Sequence, residues 1–188
     1  ARAREGLEKY PAPQPVSPAD ITLFLAGHGT DRNDQSRQTV ERQVQWIRAQ
    51  HRYAGVHALF LEEAPRIGDC YRLATTRYLV VVPCFISDGL HTVEDIPVLL
   101  GETAAVVAAR RRQGERPWRN PTERHGRLVW YTAGLGHEPG LADVILERVR
   151  EAATSAQPPV RGGRSRRRRA ASTTAGRGVR KVVRRDRR

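Results

Sequence analysis

YLVVVPCFI, residues 78–86, is a nearly continuous apolar run rich in valine. A strand with one face in water alternates polar and apolar residues, and this run does not alternate. Strands that are buried on both faces, as in parallel sheets covered by helices, have this near-continuous apolar character. The run therefore predicts a strand of a parallel sheet with helices packed on both sides.

Short apolar runs alternate with longer amphipathic stretches on either side of this strand. The other predicted strands are residues 21–26 (ITLFLA), 56–61 (VHALFL) and 128–132 (LVWYT). Helical spacing of apolar residues predicts helices over about 34–50, 67–75, 104–112 and 139–151, with a short one starting at Thr92. This alternation predicts an α/β fold with a central parallel sheet of about four strands, flanked by helices through right-handed crossovers.

Composition divides the chain into three parts. Residues 1–19 are polar and contain four prolines, which is typical of a linker, and residues 20–155 form the predicted domain. Residues 156–188 have the composition of a disordered, Arg-rich tail. Within the domain, residues 113–126 (QGERPWRNPTERHG) are predicted to form an exposed loop. The chain begins with Ala1 and contains no methionine, so we expect it to be part of a longer protein.

The positive charge of the chain belongs to its tail. Residues 160–188 contain 13 Arg or Lys residues and one acid, Asp186, and so account for +12 of the formal net charge of +13. The domain is therefore nearly neutral and has no basic face for nucleic acid. The tail alone is expected to bind polyanions, without sequence preference and with a strong dependence on salt.

Cysteine content and hydropathy indicate the compartment. Cys70 and Cys84 lack CxxC spacing, and a chain of this length builds its own core, so the sequence favours a reducing cytoplasm. The apolar runs at 21–27 and 78–86 are far shorter than the roughly 20 residues of a membrane-spanning helix. A membrane protein is therefore not predicted.

Reactive side chains follow each predicted strand directly. His28 follows the first strand, Glu62 and Glu63 the second, and His91 the third, while His137 comes after the fourth. Ligands of open parallel sheets bind beyond the carboxyl ends of the strands, so these side chains are expected at one edge. Neutral imidazole suits cobalt, nickel, iron and zinc, and a carboxylate supplies negative charge. Since no HExxH or CxxC spacing encloses an ion, the pattern predicts an open site for a divalent metal.

Structural roles also fit several of these residues. A histidine directly after a strand is often a turn or capping residue, and one of the two adjacent glutamates is expected simply to end its strand. His137 is expected to face solvent before Pro139, and Cys84 to belong to the core. The remaining histidines, His51, His57 and His125, fall on the opposite rim of the sheet.

Three segments resemble one enzyme family, the CbiX-type sirohydrochlorin cobaltochelatases. Residues 80–102 (VVVPCFISDGLHTVEDIPVLLGE) closely resemble the family pattern VVPLFIxxGxHxxEDIPxLL. Residues 26–30 (AGHGT) are similar to the family's GHGS segment after an apolar strand, with Thr30 in place of serine. Residues 128–146 (LVWYTAGLGHEPGLADVIL) resemble its closing strand, glycine turn and helix.

The resemblance implies a chelatase-like three-layer fold and a specific reaction. Members insert cobalt(II), or in relatives iron(II) or nickel(II), into sirohydrochlorin without an organic cofactor, so the metal is a substrate. The resemblance places the metal on His28 and His91, and adds an acid after the second strand to the catalytic set. FLEEAP is shorter than the family's FLExAxP, so either Glu62 or Glu63 is this acid, and we favour Glu62.

The substrate and partner assignments follow from the same resemblance. Among the residues flanking the histidines, Gly29, Ser87 and Gly89 are expected to contact the macrocycle. Its carboxylates are expected to bind backbone N–H groups at the helix starts after Thr92 and Glu138, or the guanidinium groups of Arg32, Arg37 and Arg66.

One domain of this size corresponds to half of a two-lobed chelatase. It is therefore expected to form a homodimer or to pair with a second chelatase-like domain. The alternatives are a domain that binds metal or tetrapyrrole without catalysis and, less favoured, a nucleic-acid-binding protein acting through its tail.

Overall fold

The computed structural model describes residues 2–30 and 34–154. Within them, five strands form one sheet in the order β2-β1-β3-β5-β4. The strands are β1 (Ile21–Gly27), β2 (Gly55–Phe60), β3 (Tyr78–Pro83), β4 (Thr122–Arg124) and β5 (Arg127–Tyr131). All neighbouring pairs are parallel except the pair of β4 and β5, which is antiparallel. The predicted α/β fold with four parallel strands is confirmed, and β4 adds a short antiparallel edge.

Helices cover both faces of the sheet. They are α1 (Arg2–Lys9), α2 (Gln35–Arg48), α3 (Cys70–Leu73), α4 (Ile96–Leu99), α5 (Ala104–Arg112) and α6 (Gly140–Thr154). Short 3₁₀ turns occupy Pro18–Asp20, Ile67–Asp69 and Leu135–His137, and a π-helical turn, His91–Asp95, leads into α4. The predicted helices are thus present, although the second consists of a 3₁₀ turn followed by α3.

The alternation of strand residues divides the core into two layers. Val80, Val82 and Trp130 face α1 and α2, where they pack against Ala3, Val40 and Val44. On the other face, Leu79, Val81 and Val129 pack against the helical side formed by Ile67, Cys70, Ile96 and Leu100. Every residue of β1 and nearly all of β3 is buried, as the apolar runs predict. This packing fixes the strand ends, from which the reactive side chains extend.

Residues 2–9 differ from the prediction of a linker. They form α1, whose Ala3 is buried against the sheet, and the carbonyl of Tyr10 accepts a hydrogen bond from Trp130 Nε1 at 2.7 Å. The helix is polar on average because only one narrow side contacts the protein, and the prolines all follow it. The tail, residues 156–188, lies outside the described residues.

Residues 113–126 are more ordered than the predicted exposed loop. Trp118 is buried and donates from Nε1 to the Val129 carbonyl at 3.2 Å. The Asn120 side chain donates to the Tyr131 carbonyl and accepts from the Tyr131 N–H, both at 2.7 Å, as a strand neighbour would. The backbone N–H and C=O groups along the free edge of β5 need hydrogen-bond partners. This segment supplies them, through β4 and through the side chains of Trp118 and Asn120.

Strand β3 ends earlier than its apolar run. Pro83 is its last residue, and Phe85 and Ile86 belong to the following loop, where Ile86 is 74% exposed. Hydrophobicity alone does not separate the buried strand from this exposed continuation. No helix among the described residues is long and apolar enough to cross a membrane.

Candidate metal centre

His28 and His91 lie side by side at the carboxyl edge of the sheet. His28 follows β1 and His91 follows β3, and these two strands are direct neighbours in the sheet. Their imidazole rings stand edge to face, with centroids 5.0 Å apart and an interplanar angle of 77°. The two histidines that the sequence assigns to a metal are thus brought together from positions distant along the chain.

The backbone of Gly29 holds His28. Nδ1 of His28 lies 2.7 Å from the Gly29 carbonyl oxygen. Gly29 has φ +65°, and a Cβ atom there would lie 2.7 Å from Oε1 of Glu63 and 2.8 Å from Cβ of Phe60. Only glycine adopts this conformation in this space without strain. The GHG sequence is therefore required by the turn that presents the imidazole.

His91 begins the π-helical turn, which is tied to the core of the protein. Its Nδ1 lies 2.6 Å from Oδ2 of Asp95. The turn is held from below by Tyr131, whose hydroxyl donates to the carbonyl of buried Thr92 at 2.8 Å. Burial raises the pKa of Tyr131, so the hydroxyl stays protonated and remains a donor.

The two adjacent glutamates after β2 have different partners. Oε1 of Glu62 lies 3.7 Å from Nε2 of His28, and the Glu62 side chain is 53% exposed. Oε2 of Glu63 instead accepts from Arg37 Nη1 at 2.9 Å, and its side chain is only 22% exposed. The geometry therefore directs Glu62 towards the histidines and Glu63 towards α2.

Three arginines were expected near the carboxylates of a macrocycle. Arg37 binds Glu41 and Glu63, and these hydrogen bonds raise its pKa. Arg66 donates to the Leu61 carbonyl at 3.2 Å, while Arg32 lies outside the described residues. Arg37 therefore has a structural role that the sequence did not indicate.

The hydrogen bonds of the two histidines determine which ring nitrogens are free. A carbonyl oxygen only accepts, so Nδ1 of His28 carries the proton, and a carboxylate likewise accepts from Nδ1 of His91. A neutral imidazole with its proton on Nδ1 has a lone pair on Nε2, the atom with which it could bind a metal. Among residues 2–30 and 34–154, no three His, Cys, Asp or Glu side chains are grouped so as to enclose a metal.

A cavity of about 550 Å³ adjoins His91 on the side of α4 and α5. Its walls include His91, Glu62 and Asp95, together with the apolar side chains of Leu61, Val98, Leu99 and Val107. Asp95 was not assigned a role from the sequence. The spacing of four residues between His91 and Asp95 on a helical turn is the signal that would have found it.

Two of the three expected macrocycle contacts lie on exposed backbone, whereas the third, Gly29, is buried. Ser87 and Gly89 are both exposed, and a Cβ atom at Gly89 would meet nothing within 4 Å. Gly136 differs, because a Cβ there would lie 1.5 Å from the Ile86 carbonyl oxygen. Gly136 is thus required by packing of the protein itself, whereas Gly89 has open space beside it.

Two further predictions concern Cys84 and His137. Cys84 packs beside the core, as predicted, and burial raises its pKa to about 12. The backbone of His137 ends a 3₁₀ turn after β5. The direction of its side chain is not described, so its exposure stays a prediction.

A family model described as CbiX matches residues 22–152. This chain belongs to the CbiX family. The CbiX domain is 36% identical over 133 residues to "Probable sirohydrochlorin cobaltochelatase" of Halobacterium salinarum, across 71% of this chain and 43% of that protein. It is 28% identical over 141 residues to "Sirohydrochlorin cobaltochelatase" of Methanopyrus kandleri, across 70% of this chain and 96% of that protein. The chain thus spans under half of the first relative and nearly all of the second.

A solved structure shares the fold of the CbiX domain. It is DR2241 of Deinococcus radiodurans, described as a multi-domain protein with structural similarity to chelatases. The TM-score is 0.59 at 25% sequence identity, and the match covers 75% of this chain and 30% of that one. The predicted chelatase-like fold is therefore confirmed.

Proposed function

We propose that this CbiX domain inserts a divalent metal into sirohydrochlorin. The observation that carries the proposal is the pairing of His28 with His91, whose Nε2 atoms are both left free by hydrogen bonds at Nδ1. Two relatives named as sirohydrochlorin cobaltochelatases support the substrate. We propose residues 20–155 as the catalytic unit, working without an organic cofactor.

The proposed mechanism begins with capture of the hydrated metal. His28 and His91 replace water ligands through Nε2, and Glu62 supplies negative charge beside them. As the pyrrole nitrogens take over the metal, two N–H protons must leave the macrocycle. Glu62 and the imidazoles released from the metal are positioned to accept them. Capture of the metal and removal of the two protons thus use the same three side chains.

Cobalt(II) is the metal that we favour, with nickel(II) and iron(II) as alternatives. Imidazole and carboxylate bind all three, so the ligands do not select among them. The choice of cobalt rests on the names of the relatives. We propose that the macrocycle lies over Ser87 and Gly89, where the backbone is exposed, and reaches towards the turn at Gly29, which is itself buried.

A second chelatase-like domain is the proposed partner. Helix α6 has no buried residue, and its apolar side chains Val144, Ile145, Leu146 and Val149 are at least 52% exposed. An apolar helix face of this kind is typical of an interface. We propose that it packs against a second CbiX domain, in a homodimer or in a longer chain. Light scattering that gives a monomer over a wide concentration range would contradict the homodimer.

A cytoplasmic location is also proposed. It is supported by two cysteines that are both free, as expected in a reducing compartment.

The test is anaerobic metallation. Purified protein is mixed with sirohydrochlorin and cobalt(II), and the absorbance of the macrocycle is followed beside His28→Ala and His91→Ala. We expect rapid metallation by the wild type and its loss in both variants. His125→Asn is the matched control, because His125 is exposed at the opposite end of β5 and its φ of +48° tolerates asparagine.

The competing function is binding without catalysis. A wild type that binds cobalt and sirohydrochlorin but metallates no faster than the protein-free control would favour that function. Loss of activity in His125→Asn equal to the loss in His28→Ala would mean that the assay measures folding rather than the site.

A further inference from the structure

Asp95 contacts one of the two histidines and has no role in the mechanism above. Its Oδ2 lies 2.6 Å from Nδ1 of His91, and both side chains are about half exposed, 50% for Asp95 and 47% for His91. An exposed pair four residues apart on a helical turn contributes little to folding stability. We therefore consider how Asp95 affects the position of the proton on the His91 imidazole.

The carboxylate determines where the proton of His91 resides. A neutral imidazole carries its proton on one nitrogen and presents a lone pair on the other. With Asp95 as acceptor, the proton is on Nδ1, and Nε2 is free to bind a metal. Without that acceptor, the proton can occupy Nε2, and this nitrogen then has no lone pair for a metal.

His28 obtains the same tautomer by a different route. Its Nδ1 donates to the carbonyl of Gly29, a group of the main chain that side-chain substitution does not remove. The two imidazoles are therefore unequal. His28 is held by backbone, whereas His91 depends on a charged side chain, which also increases the electron density available at Nε2.

The π-helical turn assigns two adjacent carboxylates to different partners. Asp95 binds His91, while Glu94 forms an ion pair with Arg111 on α5. Both acids border the same cavity, and only Asp95 contacts an imidazole. Glu94 is therefore a neighbouring acid of equal charge that does not contact His91. Its substitution tests whether contact with the imidazole or negative charge alone affects the binding of a metal.

We propose that Asp95 is a positioning residue for metal capture, which keeps the proton of His91 on Nδ1 and leaves Nε2 free for the metal. This inference rests on the proposed function of the histidine pair. It adds a residue to that site. It also predicts that the tautomer of His91, unlike that of His28, can be altered by substitution of one neighbouring side chain.

The experiment uses the full chain with ¹⁵N-labelled histidine and cobalt(II) alone as the probe. The tautomer of His91 is measured by NMR without metal, and the affinity for cobalt(II) by titration, for the wild type, Asp95→Ala, Asp95→Asn and Glu94→Ala. In Asp95→Ala we expect the proton of His91 to move to Nε2 and the affinity to fall by about 10- to 100-fold.

The other two variants separate position from charge. Asp95→Asn keeps an amide oxygen that can accept from Nδ1, so we expect it to retain the tautomer and to lose less affinity than Asp95→Ala. Glu94→Ala should leave the tautomer of His91 unchanged. Circular dichroism and thermal unfolding establish that all variants are folded.

An unchanged tautomer of His91 in Asp95→Ala would overturn the proposal. So would a loss of cobalt affinity in Glu94→Ala equal to that in Asp95→Ala, because general negative charge would then explain both. Neither measurement uses sirohydrochlorin. A wild type that shows the expected tautomer and binds cobalt(II), but does not metallate sirohydrochlorin, would contradict the proposed function and leave the role of Asp95 intact.

Discussion

Arg37 on α2 donates from Nη1 to Oε2 of Glu63 at 2.9 Å, and this contact separates two adjacent glutamates that the sequence does not distinguish. Glu63 is drawn under Gly29, whereas Glu62 extends to within 3.7 Å of His28. The local chain therefore uses one acid for structure and exposes the other at the histidine pair.

Glu62→Gln should impair activity, whereas Glu63→Gln should impair stability. Glu62→Gln removes the charge beside His28, so we expect metallation to fall by about 10- to 100-fold with little change in the thermal midpoint. Glu63→Gln weakens the bond to Arg37 and should lower the free energy of unfolding by about 1–2 kcal/mol. Absorbance assays and urea unfolding measure the two effects. Equal loss of activity at normal stability in both variants would contradict this division.

Tyr131→Phe should disturb the proposed metal site by loosening the turn that begins at His91. It leaves the buried Thr92 carbonyl without its donor, so we expect a loss of about 1–3 kcal/mol in the free energy of unfolding. Metallation should fall by about tenfold, because His91 starts the same turn and loses its alignment. Tyr71→Phe is the control, since its hydroxyl donates to the Leu100 carbonyl away from the histidines. It should reduce stability but not the rate per folded molecule.

Gly136→Ala and Gly89→Ala compare two glycines around the same loop. At Gly136 a Cβ would collide with the Ile86 carbonyl, so we expect a lower thermal midpoint and reduced activity. At Gly89 the added methyl group meets open space, so the variant should fold normally. If the macrocycle lies on Gly89 as proposed, KM for sirohydrochlorin should rise while cobalt affinity stays unchanged. An unchanged KM would remove Gly89 from the binding surface.

The buried thiols predict a loss of stability at high pH. Burial raises the pKa of Cys70 and of Cys84 to about 12, whereas an unfolded thiol titrates near its usual value of about 8.5. Between these values the unfolded chain binds fewer protons than the native protein, so the free energy of unfolding falls as pH rises. Urea unfolding from pH 8 to pH 11 should show this slope. Cys84→Ser should reduce it, and an unchanged slope would contradict the prediction.

Deletion of residues 157–188 should separate the charged tail from catalysis. Because these residues follow the family match at 22–152, we expect metallation to survive the deletion. Binding to nucleic acid or another polyanion should be lost, and in the full chain it should weaken steeply with salt. Filter binding over a salt series measures this. Retained binding in the shortened chain would place a polyanion surface on the domain itself.

The amino-acid sequence by itself determined the layered α/β fold and the family. Residues 78–86 predict a strand buried on both faces because burial on each side leaves an uninterrupted apolar pattern. His28 and His91 could be placed together because both follow strands, and strand ends of a parallel sheet share one edge. The resemblance to the family assigned the metal to these two histidines. These features are local or periodic, so they are visible along the chain.

The tertiary structure alone decided the contacts that join distant residues. Arg37 binds Glu63 and not Glu62. The polar residues 2–9 form a helix that packs on the sheet, where Trp130 binds the carbonyl of Tyr10 just after the helix. The open edge of β5 ordered a segment whose composition predicted a loop. Each outcome depends on a hydrogen bond or contact with residues far away in sequence. The free energy of such contacts is set by burial and geometry, which local composition does not contain.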